Sequence, residues 1–255
     1  MERPVPELTA SSPFVAASLA PRDVLRSTWA LFQLSWPSGL PLALVGVVAS
    51  GVPGAEAARS GAPRGIPQDP QWWGLYVASI VLMLICYGAL TLRQASIAER
   101  APLPVFDALR RSALALPSAG LTAVIVMTVI VAGLVLAVVP GLALTVWLSL
   151  AWVAALTEGS DPAAALRRGI ALVRGRFWPL AGAYAAVLAA VLVFVMLAGI
   201  FVGVLMAVAG QQGPTSVAGQ MLSRLLFGCV IALPVVYVGA AQVVVFRTLQ
   251  ARPPG

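Results

Sequence analysis

The chain has 255 residues, of which 60% are hydrophobic and 10% are charged, with a mean hydropathy of +0.95. Soluble domains carry about 25% charged residues, so this composition excludes an ordinary water-soluble globular fold. The formal charge is +7 and all basic residues are arginine, because the sequence contains no Lys and no His. The lack of histidine removes the usual zinc ligand and the usual proton carrier near neutral pH, and we expect no metal and no cofactor.

The charges are bunched between long charge-free runs, and these runs predict the architecture. A transmembrane helix needs about 20 apolar residues, because unpaired backbone groups are costly in hydrocarbon. We predict one all-α integral membrane domain over residues 1–255, with a flexible tail at 1–20 and an external loop at 51–71. Its six transmembrane helices are predicted at residues 29–52, 72–92, 118–139, 142–157, 178–209 and 225–246.

A proline–glycine pair and a glycine-rich run each divide one of the two longest charge-free stretches into two predicted helices. Pro140 and Gly141 divide residues 112–157 into the third span and a short fourth span. A glycine, glutamine and proline run at residues 210–214 separates the fifth span from the sixth. Pro37 and Pro41 are expected to bend the first span.

Six spans place both termini on one side of the membrane, and arginine is unevenly divided between the sides. Thirteen arginines fall on the side of the termini and three, Arg59, Arg64 and Arg224, fall on the other. This bias predicts cytoplasmic termini. The residue usage, which includes no Asn, is typical of GC-rich coding, so we expect a bacterial inner-membrane protein.

Three segments have the pattern of amphipathic helices lying at the membrane interface. The segment after Pro104 places Phe106, Leu109, Ala113 and Leu116 on one face and Asp107, Arg110 and Arg111 on another. The segment after Asp161 places Leu166, Ile170 and Val173 toward lipid and Arg167, Arg168 and Arg174 toward water. The N-terminal segment places Leu25, Trp29 and Phe32 opposite Arg22 and Arg26. Each segment precedes a pair of spans, which predicts a threefold repeat over residues 21–95, 105–158 and 162–248.

Residues 139–183 carry a motif that resembles a family of bacterial membrane proteins. Its matching residues are Pro140, Gly141, Glu158, Gly159, Ala165, Leu166, Arg167, Arg168, Arg174, Gly175, Arg176, Phe177 and Trp178. The pattern resembles the six-span proteins grouped with the membrane domain of glycerophosphoryl diester phosphodiesterase, although Val153, Gly169 and Val173 depart from it. The resemblance implies topology more than activity, since the chemistry of fused relatives belongs to a separate soluble domain.

The candidate contact residues for anionic lipid headgroups or a protein partner are six arginines: Arg110, Arg111, Arg167, Arg168, Arg174 and Arg176. General anchoring on the positive side of the membrane explains them equally well. Glu158 has two interpretations, an intramembrane carboxylate paired with Arg167 or Arg168, or a surface residue that shapes a turn. Nucleic acid is not an expected partner, because the arginines are spread along membrane edges.

Small residues and glutamines within the spans are expected to join helices. Gly182, Ala186 and Ala190, and the pair Gly199 and Gly203, allow close helix contact, either in the protein's own bundle or in a homo-oligomer. Gln94 and Gln242 are expected to hydrogen-bond across helices. Cys86 and Cys229 lie at different predicted depths, which predicts two free thiols.

The leading functional hypothesis is a non-enzymatic scaffold, regulatory or envelope-organising membrane protein. The alternative is a transporter or channel for a small or lipidic substrate, which repeated helix pairs and proline-broken spans would suit. A cavity at mid-membrane lined by Gln242 and Tyr237 would favour transport, whereas a closed apolar core would disfavour it. An enzyme ranks third, because the sequence offers no recognisable catalytic set.

Overall fold

The structure is a computed structural model that describes residues 14–59, 70–136, 138–208 and 217–251. Within these ranges it is all-helical, as predicted, and contains seven α-helices. They are α1 (Pro21–Arg59), α2 (Pro70–Ala98), α3 (Val105–Leu136), α4 (Val138–Glu158), α5 (Pro162–Val173), α6 (Phe177–Val208) and α7 (Val217–Gln250).

Five of these helices are long and apolar enough to cross a membrane: α1, α2, α3, α6 and α7. α4 coincides with the predicted fourth span and has 21 residues, and the part of it whose side chains are described, Leu144–Glu158, is apolar. By length and composition, these helices are compatible with an integral membrane protein. The number of crossings and the side on which the termini lie stay predictions.

The helix boundaries differ from the predicted spans at two breaks. α3 ends at Leu136 and α4 begins at Val138, so Pro140 lies in the first turn of α4. Proline is tolerated there because the first backbone N–H groups of a helix have no intrahelical acceptor, and the predicted break at Pro140 is therefore a few residues late. α1 continues to Arg59 and α2 begins at Pro70, so part of the predicted loop at 51–71 is helical. The alanine-rich residues 55–59 favour helix, and residues 60–69 lie outside the described ranges.

The segment before α1 was predicted as part of a flexible tail, and its described residues are packed instead. Phe14, Ala16 and Leu19 are buried in the main hydrophobic core. The Ala16 backbone N–H donates to the Thr248 hydroxyl near the end of α7 (3.0 Å). These contacts tie residues 14–20 to the bundle, while residues 1–13 lie outside the described ranges.

Only one of the three predicted amphipathic helices is separate in the structure. α5 has Asp161 as its N-cap, with Asp161 Oδ1 accepting from the Ala164 N–H at 3.0 Å, and Pro162 in its first turn, as predicted. The other two segments are continuous with the spans that follow, because α1 and α3 begin at Pro21 and Val105. α3 has 32 residues and rises about 48 Å, well over the roughly 30 Å hydrocarbon core, so its first turns can lie outside the hydrocarbon.

The predicted faces of these segments need correction. On α5, Ile170 is exposed as predicted, but Val173 is only 1% exposed and packs in the core. On α1, Trp29 is 53% exposed and lies on the same side as the exposed Arg22 and Arg26, not opposite them. The amphipathic pattern marked three segments that are helical, yet it could not distinguish an apolar face that meets protein from one that meets lipid.

Close contacts through small residues hold the bundle together. α1 and α2 run antiparallel, with Ser35 beside Gln94 and Gly46 beside Cys86. α5 lies on α4, since a Cβ added at Gly169 would stand 3.1 Å from the Ala151 backbone nitrogen. α7 packs chiefly against α1, and the hairpin of α3 and α4 packs against α2.

α6 is the most peripheral of the long helices. Its first half is anchored by Leu180, Ala183 and Val187, which are buried. Beyond Val191 most of its described side chains are exposed. A Cβ added at Gly199 or Gly203 would meet nothing within 4 Å among the described residues, and the use of this pair in the bundle or in a homo-oligomer stays a prediction.

Candidate functional site

The six predicted contact arginines lie at one end of the bundle. Arg110 and Arg111 are near the start of α3, Arg167 and Arg168 are on α5, and Arg174 and Arg176 flank the turn into α6. All of them are exposed except Arg176, which is half-buried. We call this set the arginine rim. Its exposure allows contact with headgroups or a partner, but the residues do not converge on a pocket.

Glu158 is at the end of α4 and is part of a surface ion pair. The Arg168 Nε atom lies 3.3 Å from Glu158 Oε1, and the Gln250 side-chain amide donates to the same oxygen at 3.0 Å. The two charged side chains are 48% and 30% exposed, and Arg167 instead donates to the Ala163 carbonyl. The surface interpretation of Glu158 therefore fits the structure better than an intramembrane carboxylate, and Arg168 is the residue with which it pairs.

Two glycines of the motif have conformations that explain their identity. Gly159 and Gly175 have φ values of +61° and +78°, in the left-handed region that favours glycine. Each follows the end of a helix, Gly159 after α4 and Gly175 after α5, and reverses the chain there. The motif thus shapes the turns that carry the arginine rim.

A cavity of about 400 Å³ lies among α1, α2, α3, α4 and α7. The middle portions of these helices line it, so it lies far from either end of the bundle. Most lining side chains are apolar, including Leu42, Met83, Val126, Leu148 and Trp152. We call it the central cavity. Its size is within the range of roughly 300–1,000 Å³ that is typical of ligand pockets.

One polar pair stands in the wall of the central cavity. The Tyr87 hydroxyl donates to Gln242 Oε1 at 2.8 Å, which joins α2 to α7 as expected for Gln242. The Tyr87 ring stacks on Trp152, with centroids 5.9 Å apart and planes 24° apart. The bond to Tyr87 is the only hydrogen bond of the Gln242 side chain to a described residue, so its amide nitrogen has no acceptor among them. It is therefore a hydrogen-bond donor available to a molecule in the cavity.

Two further polar groups of the interior are already hydrogen-bonded. Ser149, also in the cavity wall, donates to the Tyr184 hydroxyl of α6 at 2.9 Å. Gln94 is fully buried and donates to the Val236 carbonyl of α7 (2.8 Å), which confirms the expected bond across helices. These bonds fix α6 and α7 against the rest of the bundle. Gln94 Oε1 and the indole N–H of Trp152 have no partner among the described residues, and Trp152 shares the cavity wall with the Gln242 amide.

Gln242 and Tyr237 were expected to line one cavity, and the structure separates them. Tyr237 lines a different groove of about 560 Å³, formed by α1, α6 and α7. Trp29, Gln33 and Trp36 form its α1 wall. We call it the lateral groove, because its aromatic side chains are exposed on the outside of the bundle.

Sequence reasoning missed Tyr87, Trp152 and Gln33. A tyrosine or tryptophan in an apolar run carries no signal that it faces a cavity. Gln33 could have been found, because it is a polar residue spaced on one helix face with Trp29 and Trp36. Cys86 and Cys229 are both free, as predicted.

The described residues contain no group of three His, Cys, Asp or Glu side chains that could hold a metal ion. Comparison of the chain with family models, curated proteins and solved structures finds no match. The resemblance to the glycerophosphoryl diester phosphodiesterase membrane domain therefore stays a prediction.

Proposed function

We propose that this protein is a non-enzymatic transporter or carrier that binds a largely apolar, lipid-like molecule in the central cavity. The observation that carries the proposal is a ligand-sized cavity in the middle of the bundle, with one free amide donor at Gln242 in an apolar wall. Ligand sites commonly combine an apolar lining with a few placed polar groups.

The chemistry of the lining favours a lipidic substrate over an ion or a sugar. No charged side chain is among the described residues that line the cavity. A charged or strongly hydrated solute would lose its hydration there without gaining enough hydrogen bonds. A chain-like or ring-like apolar molecule with one carbonyl, ester or hydroxyl oxygen would satisfy the Gln242 amide and fill the rest of the volume.

A second candidate function is the envelope-organising scaffold, which the arginine rim supports. Arginine close to an anionic membrane surface contributes about 1 kcal/mol per residue, and five rim arginines are exposed. Thirteen arginines are predicted on the side of the termini and three on the other side. This bias and the exposed arginine rim support a bacterial inner-membrane protein whose termini face the cytoplasm. Replacing Arg110, Arg111, Arg167 and Arg174 with alanine should then weaken binding of a cytoplasmic partner or anionic liposomes and leave the cavity intact.

Photolabelling with a diazirine-bearing fatty acid tests the cavity proposal. The purified protein in liposomes is irradiated with the probe, and labelled residues are mapped by mass spectrometry. We expect labels on cavity residues such as Met83 and the buried Val126, in addition to the exposed lipid-facing residues of α6. Gln242→Leu should reduce the cavity labels selectively, because it removes the free amide donor.

Two alanines of α3 provide a matched pair of variants. Ala123 lines the cavity, whereas Ala132 is on the exposed surface. Ala123→Phe should fill part of the volume and abolish labelling at Met83, while Ala132→Phe should leave it unchanged. Labels confined to the outer surface of the wild-type protein would rule out the cavity as a binding site.

A further inference from the structure

Five exposed residues of α1 form a continuous stripe along one helix face. Arg22, Arg26, Trp29, Gln33 and Trp36 are spaced by four, three, four and three residues, the intervals that keep side chains on one side of an α-helix. The stripe runs from the arginine-rich end of the bundle toward its middle. In this direction the stripe presents two guanidinium groups, then an aromatic ring, an amide and a second aromatic ring.

The inner part of this stripe is one wall of the lateral groove. Ala190, Val191 and Phe194 of α6 form the opposite wall, and Pro234 and Tyr237 of α7 form the floor. Phe32 closes the floor against Tyr237, with ring centroids 5.8 Å apart in an edge-on arrangement. Trp29, Trp36 and Phe194 are 53%, 43% and 40% exposed, so the groove opens sideways to the surroundings of the bundle.

Gln33 is an unusual residue for that position. Its side chain is exposed and has no hydrogen-bond partner among the described residues. Its backbone carbonyl also lacks the usual helical donor, because residue 37 is a proline without an N–H. An unpaired polar group costs free energy when it leaves water, so the Gln33 amide favours a ligand that offers it a polar group.

The depth of Gln33 identifies that polar group. Gln33 lies seven residues, or about 10 Å, beyond Arg26 along α1. The polar layer on each side of a bilayer is roughly 5–8 Å thick, so arginines among the headgroups place Gln33 near the boundary where ester groups join the acyl chains. Trp36 and Phe194 lie further in, beside the chains.

We propose that the lateral groove and its stripe bind one anionic phospholipid of the adjacent leaflet. The phosphate pairs with Arg22 and Arg26, neither of which forms an ion pair with a described residue. An ester carbonyl accepts from the Gln33 amide, and an acyl chain lies between Trp36 and Phe194. An apolar helix from a second copy of the chain would leave the amide unsatisfied. This site is separate from the central cavity and does not depend on the proposed transport function.

Fluorescence quenching by brominated phospholipids tests the proposal. The purified full-length protein in mild detergent is titrated with phosphatidylglycerol brominated on its acyl chains, and tryptophan emission is recorded. Zwitterionic brominated phosphatidylcholine is the comparison lipid. We expect saturable quenching at lower concentrations of phosphatidylglycerol than of phosphatidylcholine. Trp36→Phe should remove most of this saturable quenching.

Two variants locate the headgroup and ester contacts. Arg22→Ala/Arg26→Ala should weaken phosphatidylglycerol binding about tenfold or more, since each arginine near an anionic surface contributes about fivefold. Gln33→Leu should weaken the binding of both lipids, because it removes a contact with an ester group that both lipids contain.

The single variant Arg100→Ala is the control for Arg26→Ala alone, because it removes one charge from an exposed position that belongs neither to the arginine rim nor to the stripe. It should retain affinity to within about twofold. An equal loss in this control would show that only general surface charge is involved and would overturn the site. Wild-type affinity in both the Arg22/Arg26 and Gln33 variants would also overturn it.

Discussion

Gly88→Ala should push α2 and α3 apart at their closest contact. A Cβ added at Gly88 would stand 2.3 Å from the Ser112 Oγ atom and 3.4 Å from the Ser112 Cβ atom. Ser112 Oγ also donates to the Ile85 carbonyl of α2 at 2.8 Å, so the hydroxyl cannot move away without losing a bond between helices. The contact fixes the start of α3, on which Arg110 and Arg111 lie.

The expected change in the free energy of unfolding is the sum of three contributions. Overpacking of a buried contact costs about 1–3 kcal/mol, and a lost hydrogen bond between membrane helices costs about 0.6 kcal/mol. Replacing a helical glycine with alanine recovers roughly 0.5–1 kcal/mol. We therefore expect Gly88→Ala to lower the free energy of unfolding by about 0.6–3 kcal/mol.

Ser112→Ala supplies the matched control, because it removes the clashing oxygen. Alone it should cost about 0.6 kcal/mol, the value of the bond to Ile85. In the double variant the added Cβ would meet the residue 112 Cβ at 3.4 Å, which is close to ordinary contact. The pair should therefore be more stable than Gly88→Ala alone, with a coupling energy of about 1–2 kcal/mol. Unfolding in mixed micelles, followed by tryptophan fluorescence, measures all four proteins, and additive effects would refute the packing argument.

Other contacts give further predictions of the same kind. Gly169→Ala should lower the free energy of unfolding by about 1 kcal/mol, because its Cβ would press on the Ala151 backbone at 3.1–3.3 Å. Gly199→Ala, in open space, should leave that free energy unchanged or raise it. Gly159→Ala should cost about 1 kcal/mol in the same assay, since its φ of +61° disfavours any side chain. Glu158→Gln should cost less than about 1 kcal/mol, and the difference from wild type should shrink as salt is raised, because the pair with Arg168 is exposed. A large, salt-independent loss would contradict the surface placement of Glu158.

The sequence predicted the helices well because hydrocarbon leaves the backbone little choice. A charge-free run of 20 residues can satisfy its N–H and C=O groups only as a helix or in a closed barrel, and each predicted span overlaps a described α-helix, although the third runs past the end of α3. The ends of the helices were harder to predict, because nothing requires a helix to stop where the hydrocarbon stops. α1 continues to Arg59, and Pro140 fits into the first turn of α4.

The faces of the helices and the candidate cavities were less predictable. Hydrophobicity does not distinguish lipid from protein as a neighbour, so Val173 and Ile170 looked alike although one is buried and the other exposed. Gln242 stood out because amides are rare in apolar runs. Tyr87 and Trp152 did not, because their position beside a cavity depends on how five helices meet.

The tight contact at Gly88 also bears on the central cavity, since both are on α2. Met83 and Tyr87 line the cavity within five residues of Gly88, and Val126 and Met127 of α3 line it from the other side. Because the two helices touch at Gly88 and Ser112, a shift of α3 there must change the distance between those walls. Gly88→Ala should therefore alter fatty-acid labelling at Met83 and Val126, and adding Ser112→Ala should restore it. Gly199→Ala, far from any contact, should leave the labels unchanged. Unaltered labelling in Gly88→Ala, despite lost stability, would mean that the cavity walls are held by α4 and α7 and not by this contact.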